Sequence, residues 1–345
     1  MKLTTLCYLE QDEKYLMLHR IKKQKDVNKD KWIGIGGKFE FGESPEDCLL
    51  REAKEETGYE LFSYRLRGIV TFLFNDEEAE YMFLYTADRF AGEPRPCDEG
   101  TLEWIPKKDV DALNLWEGDR LFFKLMNEDR PFFSLKLHYR GDRLCEAVLD
   151  GRPLELLDVL NADGEPSGLV RERDMVHERG DYHRTSHVWI IRRTPDGNCE
   201  LLLQKRSWEK DSFAGCYDSS SAGHIPAGEE YLSSAQRELF EELGILAGAD
   251  ELTRIGFVDS RYEGVFKGKS FCNHEKSAVY VYEKPVDETR LCLQASEVES
   301  VRWFALDDAL RAAEEHMPGF CLDAAEVGMV KNYIMESLQK DRERP

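Results

Sequence analysis

A chain of 345 residues is longer than one hydrophobic core usually serves, and a composition 41% apolar with 18 Phe, 14 Tyr and 6 Trp argues against intrinsic disorder. Set against 47 Lys and Arg, 68 Asp and Glu leave a formal charge of −21; such a surface repels a polyphosphate backbone, so no nucleic acid is expected as a partner. Nine cysteines without a CxxC pair or zinc-like spacing, no signal-peptide pattern and no apolar run of bilayer length predict reduced thiols, no membrane partner and a cytoplasmic location.

In chain order, residues 3–9 and 14–20 predict the strands of a hairpin across Gln11, Asp12 and Glu13. A polar loop follows. Its Lys22, Lys23, Lys25, Lys29 and Lys31 could reach a bound polyphosphate or could simply be solvated, since Asp26 and Asp30 dilute their charge. Next comes Gly37-Lys-Phe-Glu-Phe-Gly-Glu43 and, after seven residues, Arg51-Glu-Ala-Lys-Glu-Glu-Thr-Gly-Tyr59. Ser44 as N-cap, Pro45 at the first helical position, Asp47 three residues past the cap and Gly58 as the stop predict a helix between them. On that helix Glu52, Glu55 and Glu56 stand at i, i+3 and i+4, with Cβ atoms roughly 5 to 6 Å apart. Each like-charge pair costs about 3 kcal/mol at an effective dielectric of about 20, which calls for a cation. Oxygen-only ligands favour Mg²⁺ or Mn²⁺, and the Gly36-Gly37 pair lets the backbone pass close enough for a carbonyl ligand, placing Gly36 in the candidate metal set.

Residues 67–74 and 80–87 predict further strands, Asp98 to Pro106 and Leu115 to Phe123 carry further candidate site residues, and an aromatic hairpin from Phe132 to Val148, turning at Gly141-Asp142, closes the first domain. A boundary at Arg152-Pro153 divides domains of residues 1–152 and 153–345, joined by a connection too short for a flexible tether, so that contact between them is expected. Leu156 to Asn161, the Asp163-Gly164 turn and Leu169 to Arg171 predict a hairpin, and His183 to Ile191 with Glu200 to Arg206 predict paired strands. The glycine-and-glutamate stretch then recurs, 186 residues after its first appearance, as Gly223-His-Ile-Pro-Ala-Gly-Glu229 and, after seven residues, Arg237-Glu-Leu-Phe-Glu-Glu-Leu-Gly-Ile245. Residues 305–340 predict helices and end in a charged tail, Lys340 to Pro345.

In both copies Gly, Glu, Arg, Glu, Glu, Glu and Gly hold identical offsets, and this pattern is identified as the Nudix box. The resemblance to Nudix hydrolases implies two α/β (α+β) folds, each a mixed β-sheet sandwiched between α-helices. It further implies hydrolysis of nucleoside diphosphates linked to another moiety X, with divalent metals neutralising phosphate charge and activating water. Carried onto this chain, it makes Glu52, Glu56, Glu238 and Glu242 the catalytic carboxylates. It makes Glu55, Glu241, Gly36, Ala222, Glu99 and Glu297 further metal candidates, Glu99 and Glu297 also being candidate bases. Arg51 and Arg237 are expected to pair with Glu43 and Glu229 and to hold the loop on the helix.

The flanks differ. In the first half Lys31-Trp-Ile-Gly-Ile-Gly-Gly-Lys38 and Leu115-Trp-Glu-Gly-Asp119 resemble MutT-like enzymes that hydrolyse oxidised purine nucleoside triphosphates, which implies Trp116 stacking on a purine, Asp119 bonding its edge and Lys38 in substrate binding; Ile33 stands where those enzymes often carry Asn. Residues 155–310 resemble a branch related to isopentenyl diphosphate isomerase, with His183, His224, Glu297 and Glu299 where isomerases place metal ligands. Ala222 replaces the isomerase's catalytic Cys and the box is intact, so a hydrolase of another small nucleotide-class phosphorylated substrate is expected there; an allylic diphosphate isomerase and a nucleotide-binding sensor are the alternatives.

Overall fold

The computed structural model describes residues 1–22 and 26–343, so Lys23 and Lys25 of the basic loop and the last two residues of the charged tail lie outside the described residues. The chain divides into two compact units, residues 1–156 with 169–172, and residues 157–168 with 173–345.

The first unit contains β1 (Lys2–Gln11), β2 (Lys14–His19), β3 (Trp32–Ile33), α1 (Pro45–Thr57), β4 (Glu60–Phe74), β5 (Glu78–Ala91), β6 (Thr101–Pro106), α2 (Glu117–Asn127), β7 (Phe133–Arg140), β8 (Arg143–Leu149) and β9 (Arg152–Pro153). The predicted hairpin is formed by β1 and β2, and it turns at Asp12 and Glu13, whose positive φ of 51° and 56° suits a two-residue turn matched to strand twist. Strand order is β3-β2-β1-β5-β4-β7-β8-β9, with β6 also on β2; β1–β5 and β4–β7 are parallel. The predicted strands at 67–74 and 80–87 extend beyond their apolar cores into a longer ribbon, because cross-strand bonding continues where the side chains turn polar. Arg152 and Pro153 pair with β8, so the expected boundary falls on a strand that completes the first sheet.

Alternation along β1 explains how that sheet is covered on both faces. Cys7 and Leu9 point to one face and pack with Leu49 and Ala53 of α1, whereas Tyr8 points to the other and packs on Phe122 and Phe123 of α2 at 6.0 and 4.7 Å between ring centroids.

In the second part of the chain lie β10 (Leu156–Leu160), β11 (Pro166–Glu172), α3 (Arg173–Arg179), β12 (Tyr182–Arg193), β13 (Cys199–Arg206), β14 (Tyr217–Asp218), β15 (Ser221–His224), α4 (Tyr231–Leu243), β16 (Leu252–Phe266), β17 (Lys269–Tyr282), β18 (Val298–Ala305), α5 (Leu306–Glu314) and α6 (Ala324–Glu343). The predicted hairpin is β10–β11, a two-stranded sheet. The larger sheet runs β14-β13-β12-β17-β16, with β15 on β12 and β18 on β13, and β12–β17 is its parallel pair. It therefore repeats the arrangement of the first unit. Val188 and Ile190 face Ala235, Leu239 and Leu243 of α4, while Trp189 and Ile191 face α5 and α6 through Ala309, Val327 and Val330. Each unit is thus a mixed sheet sandwiched between helices.

The two box helices start differently. Ser44 accepts from the Asp47 amide and Asp47 accepts from the Ser44 amide, a complete capping box, whereas Glu230 at the start of α4 makes no side-chain cap bond. Both helices stop at a left-handed glycine, Gly58 at φ 83° and Gly244 at φ 73°. Substituting Ser44→Ala is expected to lower stability by about 1 kcal/mol in urea unfolding of the full chain, and Glu230→Ala by less than half of that.

Candidate active sites

In each unit a strand brings the glycine loop against its own box helix. Ile35 exchanges backbone bonds with Cys7 of β1, and Thr5 donates to the Gly37 carbonyl. In the second unit β15 pairs with β12, and Ile225 donates to Arg184. A helix and a loop held this way meet through the box carboxylates. The Gly36 amide donates to Glu56 Oε2 at 2.8 Å, and the Ala222 amide donates to Glu242 Oε2 at 3.1 Å. A Cβ added at Gly37 would come within 2.3 Å of Glu52 Oε1, and one at Gly223 within 2.1 Å of Glu238 Cδ. Glycine is therefore required at both positions by the close approach of a carboxylate rather than by its backbone angles.

Glu52 and Glu56 of the first unit and Glu238 and Glu242 of the second are largely or fully buried, whereas Glu55 and Glu241 are exposed. Arg51 donates to Glu43 at 2.6 and 3.0 Å, as expected, and also reaches Glu52 at 2.7 Å, Glu55 at 3.2 Å and the Lys38 carbonyl at 3.0 Å. The positive charge that the sequence reading assigned to a cation alone is thus supplied in part by Arg51, because its guanidinium can fork between the loop and the helix. Pairing with Arg51 holds the Glu43 carboxyl down at about 2. Arg237 repeats the contacts to Glu238 at 2.8 Å and Glu241 at 3.0 Å, but lies 3.8 Å from Glu229, a looser version of the expected pair.

Burial pushes the Glu242 carboxyl up to about 8, with further upward pressure from Glu238. The donors around it, the Ala222 amide and Gln204 Nε2 at 3.3 Å, are neutral. Glu242 thus has neutral donors beside a second carboxylate, Glu238, that shares Arg237 with Glu241, a demand that a divalent cation meets, so these residues fit Mg²⁺ or Mn²⁺.

Glu99 and Glu297 take matching positions, just ahead of β6 and β18, and each meets a base: Glu99 pairs with Arg20 and Glu297 with Lys210. Trp116 lies at the N-terminus of α2 and is only 3% exposed, edge-on to Phe72, Phe74 and Tyr139. Its Nε1 donates to Asn28 Oδ1 at 2.8 Å, and the Lys31 ammonium lies 4.8 Å from its ring centre. Asp119, one turn on, is buried beside Tyr8 and Tyr139, and burial pushes its carboxyl up to about 7. Lys38 and Lys29 are exposed, while Lys22 and Lys31 bond protein carbonyls.

A second group occurs beside the second box. The ring nitrogens of His177, His183 and His224 lie within 4.8 Å of one another. Burial and the neighbouring imidazoles push His177 down to about 2 and His183 to about 4, leaving both neutral, the form that ligates metal. Because β12 and β17 pair in parallel with His183 opposite Glu275, it is Glu275 that lies 3.8 Å from His183 Nε2. Sequence reasoning placed Glu297 and Glu299 with these histidines, but the first pairs with Lys210 and the second is exposed on β18. His177 was missed because it sits on the short helix α3, which no periodic signal announced, and Glu275 because strand register is a tertiary property.

The NUDIX domain family model matches residues 2–126 and 183–321. Nudix hydrolase 3 of Arabidopsis thaliana is 40% identical over 168 residues, covering 48% of this chain but only 21% of that protein. The oxidized purine nucleoside triphosphate hydrolase of Danio rerio is 30% identical over 129 residues, covering 37% of this chain and 83% of that protein. An isopentenyl-diphosphate Delta-isomerase of Serratia proteamaculans is 32% identical over 127 residues, covering 33% of this chain and 68% of that protein. With one family match around each of the two carboxylate-lined loops, and the two together spanning most of its length, the chain belongs to the Nudix family.

Proposed function

We propose that residues 1–152 and 153–345 are two hydrolases of nucleoside diphosphate-X compounds that act on different substrates. The observation that carries this reading is the bond from a loop amide to the last box carboxylate, made in both units within unlike surroundings. Glu52, Glu56, Glu238 and Glu242 would hold a divalent cation, with the backbone of Gly36 and Ala222 as a further candidate ligand. When bound, a divalent cation such as Mg²⁺ or Mn²⁺ neutralises phosphate charge and acidifies the attacking water. Glu56 and Glu242 would orient the attacking water and take its proton, while Arg51 and Arg237 keep loop and helix in register. Glu99 and Glu297 stand just ahead of β6 and β18, tethered to Arg20 and Lys210.

The first unit acts on a purine nucleoside triphosphate, releasing pyrophosphate. Asp119 supports this, since a buried carboxyl near neutrality can donate to or accept from a purine edge. Trp116 closes the base site as part of an aromatic wall, with Lys31 and Lys38 toward the phosphates. The second unit is assigned a substrate outside this class. Its histidines favour a second cation held by His177, His183 and His224, of a type that accepts imidazole, Zn²⁺ or Mn²⁺. They also favour an allylic diphosphate isomerase, against which stands Ala222, which offers no proton. All nine cysteines are free, as a reducing cytoplasm would keep them, and among the described residues no helix is long and apolar enough to cross a membrane.

Three outcomes test the reading. In the full chain, Glu56→Gln should lower purine triphosphate turnover on the order of 10²–10³-fold while sparing the second activity, and Glu242→Gln should do the reverse. A panel of triphosphates, dinucleotide polyphosphates and nucleotide sugars, scored by phosphate against pyrophosphate release, checks this; unchanged turnover in the double variant overturns it. Second, the folded-state value of Glu242 is raised, so its contribution is fully present below the unfolded value of about 4.5 and is lost as pH rises toward about 8. Metal-free wild-type protein should therefore lose stability over that window relative to Glu242→Gln, and Mg²⁺ should reduce the difference. Third, Zn²⁺ or Mn²⁺ at about 100 times its Kd should stabilise the wild type by about 2.7 kcal/mol in calorimetry and His224→Ala by much less.

A further inference from the structure

Cys216 and Cys321 stand 105 residues apart in sequence, yet each flanks a residue of one strand-to-strand contact, Tyr217 paired with Phe320. The backbone fixes this meeting. Tyr217 donates to the Gly319 carbonyl at 2.8 Å and Cys321 donates to the Tyr217 carbonyl at 2.9 Å, so the two segments run side by side through a parallel bridge from Tyr217 to Phe320. Cys216 is also anchored from behind, its carbonyl accepting from the Arg206 amide at 2.9 Å. Both cysteines are only half-buried and hence within reach of a small solute.

We propose that Cys216 and Cys321 form a modification site, a thiol pair that hydrogen peroxide or an organic hydroperoxide converts to a disulfide. Their roles differ. The Cys216 thiol is drawn down to about 7, first by the neighbouring Cys321 thiol and then, against the effect of burial, by the Arg206 guanidinium, so it supplies the thiolate. The Cys321 thiol, which donates to the Tyr217 carbonyl at 3.3 Å, is held well above its ordinary value by the neighbouring Cys216 thiol and by burial, and it is the resolving partner. Cys7 and Cys199, pushed up by burial, lack such activation.

In the first step the Cys216 thiolate attacks a peroxide oxygen, the O–O bond breaks, and Cys216 becomes a sulfenic acid as hydroxide or alkoxide leaves and takes a proton. In the second, Cys321 sulfur attacks the sulfenic sulfur, the S–O bond breaks, and the departing hydroxide takes the Cys321 proton as water. Two electrons pass from the two thiols to the peroxide, which is the only oxidant required. The disulfide would tie β14 to the segment that leads into α6.

The test treats the full chain with hydrogen peroxide, alkylates the remaining thiols and maps peptides by mass spectrometry. The expected product is a Cys216–Cys321 linkage reversed by dithiothreitol, formed about 10-fold or more faster than oxidation of exposed Cys145 or Cys292. In Cys321→Ser the linkage disappears and Cys216 is trapped by a dione probe as the sulfenic acid. The proposal is overturned if Cys216 and Cys321 remain alkylatable when Cys145 and Cys292 have reacted. It is equally overturned if they oxidise in the wild type without joining; both outcomes are read in unmutated protein, independently of how the variant folds.

Discussion

A single backbone amide in each unit, that of Gly36 or Ala222, fixes the last box carboxylate, and the rest of the site depends on that bond. It requires the loop to run along the box helix at van der Waals distance, which a side chain on Gly37 or Gly223 would prevent. The loop can do so only because a central strand, β1 or β12, holds it by sheet pairing while the helix is packed on the same strand's apolar face. Core and site are therefore one construction: the residues of β1 that bury Leu49 and Ala53 also set the height of Glu52 and Glu56 above the loop.

On that common frame the electrostatics diverge. In the first unit one arginine binds Glu43, Glu52, Glu55 and a loop carbonyl, and the carboxylate cluster is partly neutralised by the protein itself. The second unit leaves its arginine further from Glu229, and burial makes Glu242 a weak acid among neutral donors. Three histidines with Glu275 lie next to it, a group with no counterpart among the described residues of the first unit. The same local motif therefore sits in two different fields, which is the physical ground for proposing two substrates rather than one.

Local signals were legible where local physics decides. The cap at Ser44, the stop at Gly58, the turn across Gln11, Asp12 and Glu13 and the apolar cores of the strands all follow from side-chain chemistry acting within a few residues. The extent of β4 and β5 did not, since their polar ends are held by partner strands rather than by their own pattern. Trp116 shows the same limit: its type and spacing suggested a stacking surface, but its 3% exposure follows from Phe72, Phe74 and Tyr139, which come from two other strands.

By itself the sequence determined the two box helices, the glycines ahead of them and the duplication, because fixed offsets on a helix translate directly into which carboxylates share a face. Only the tertiary structure decided which groups meet that face. Arg51 reaching the Lys38 carbonyl, Lys210 on Glu297, Glu275 rather than Glu299 beside His183, and His177 joining from α3 all depend on strand register and on packing between distant segments. Spacing along the chain carries no record of either.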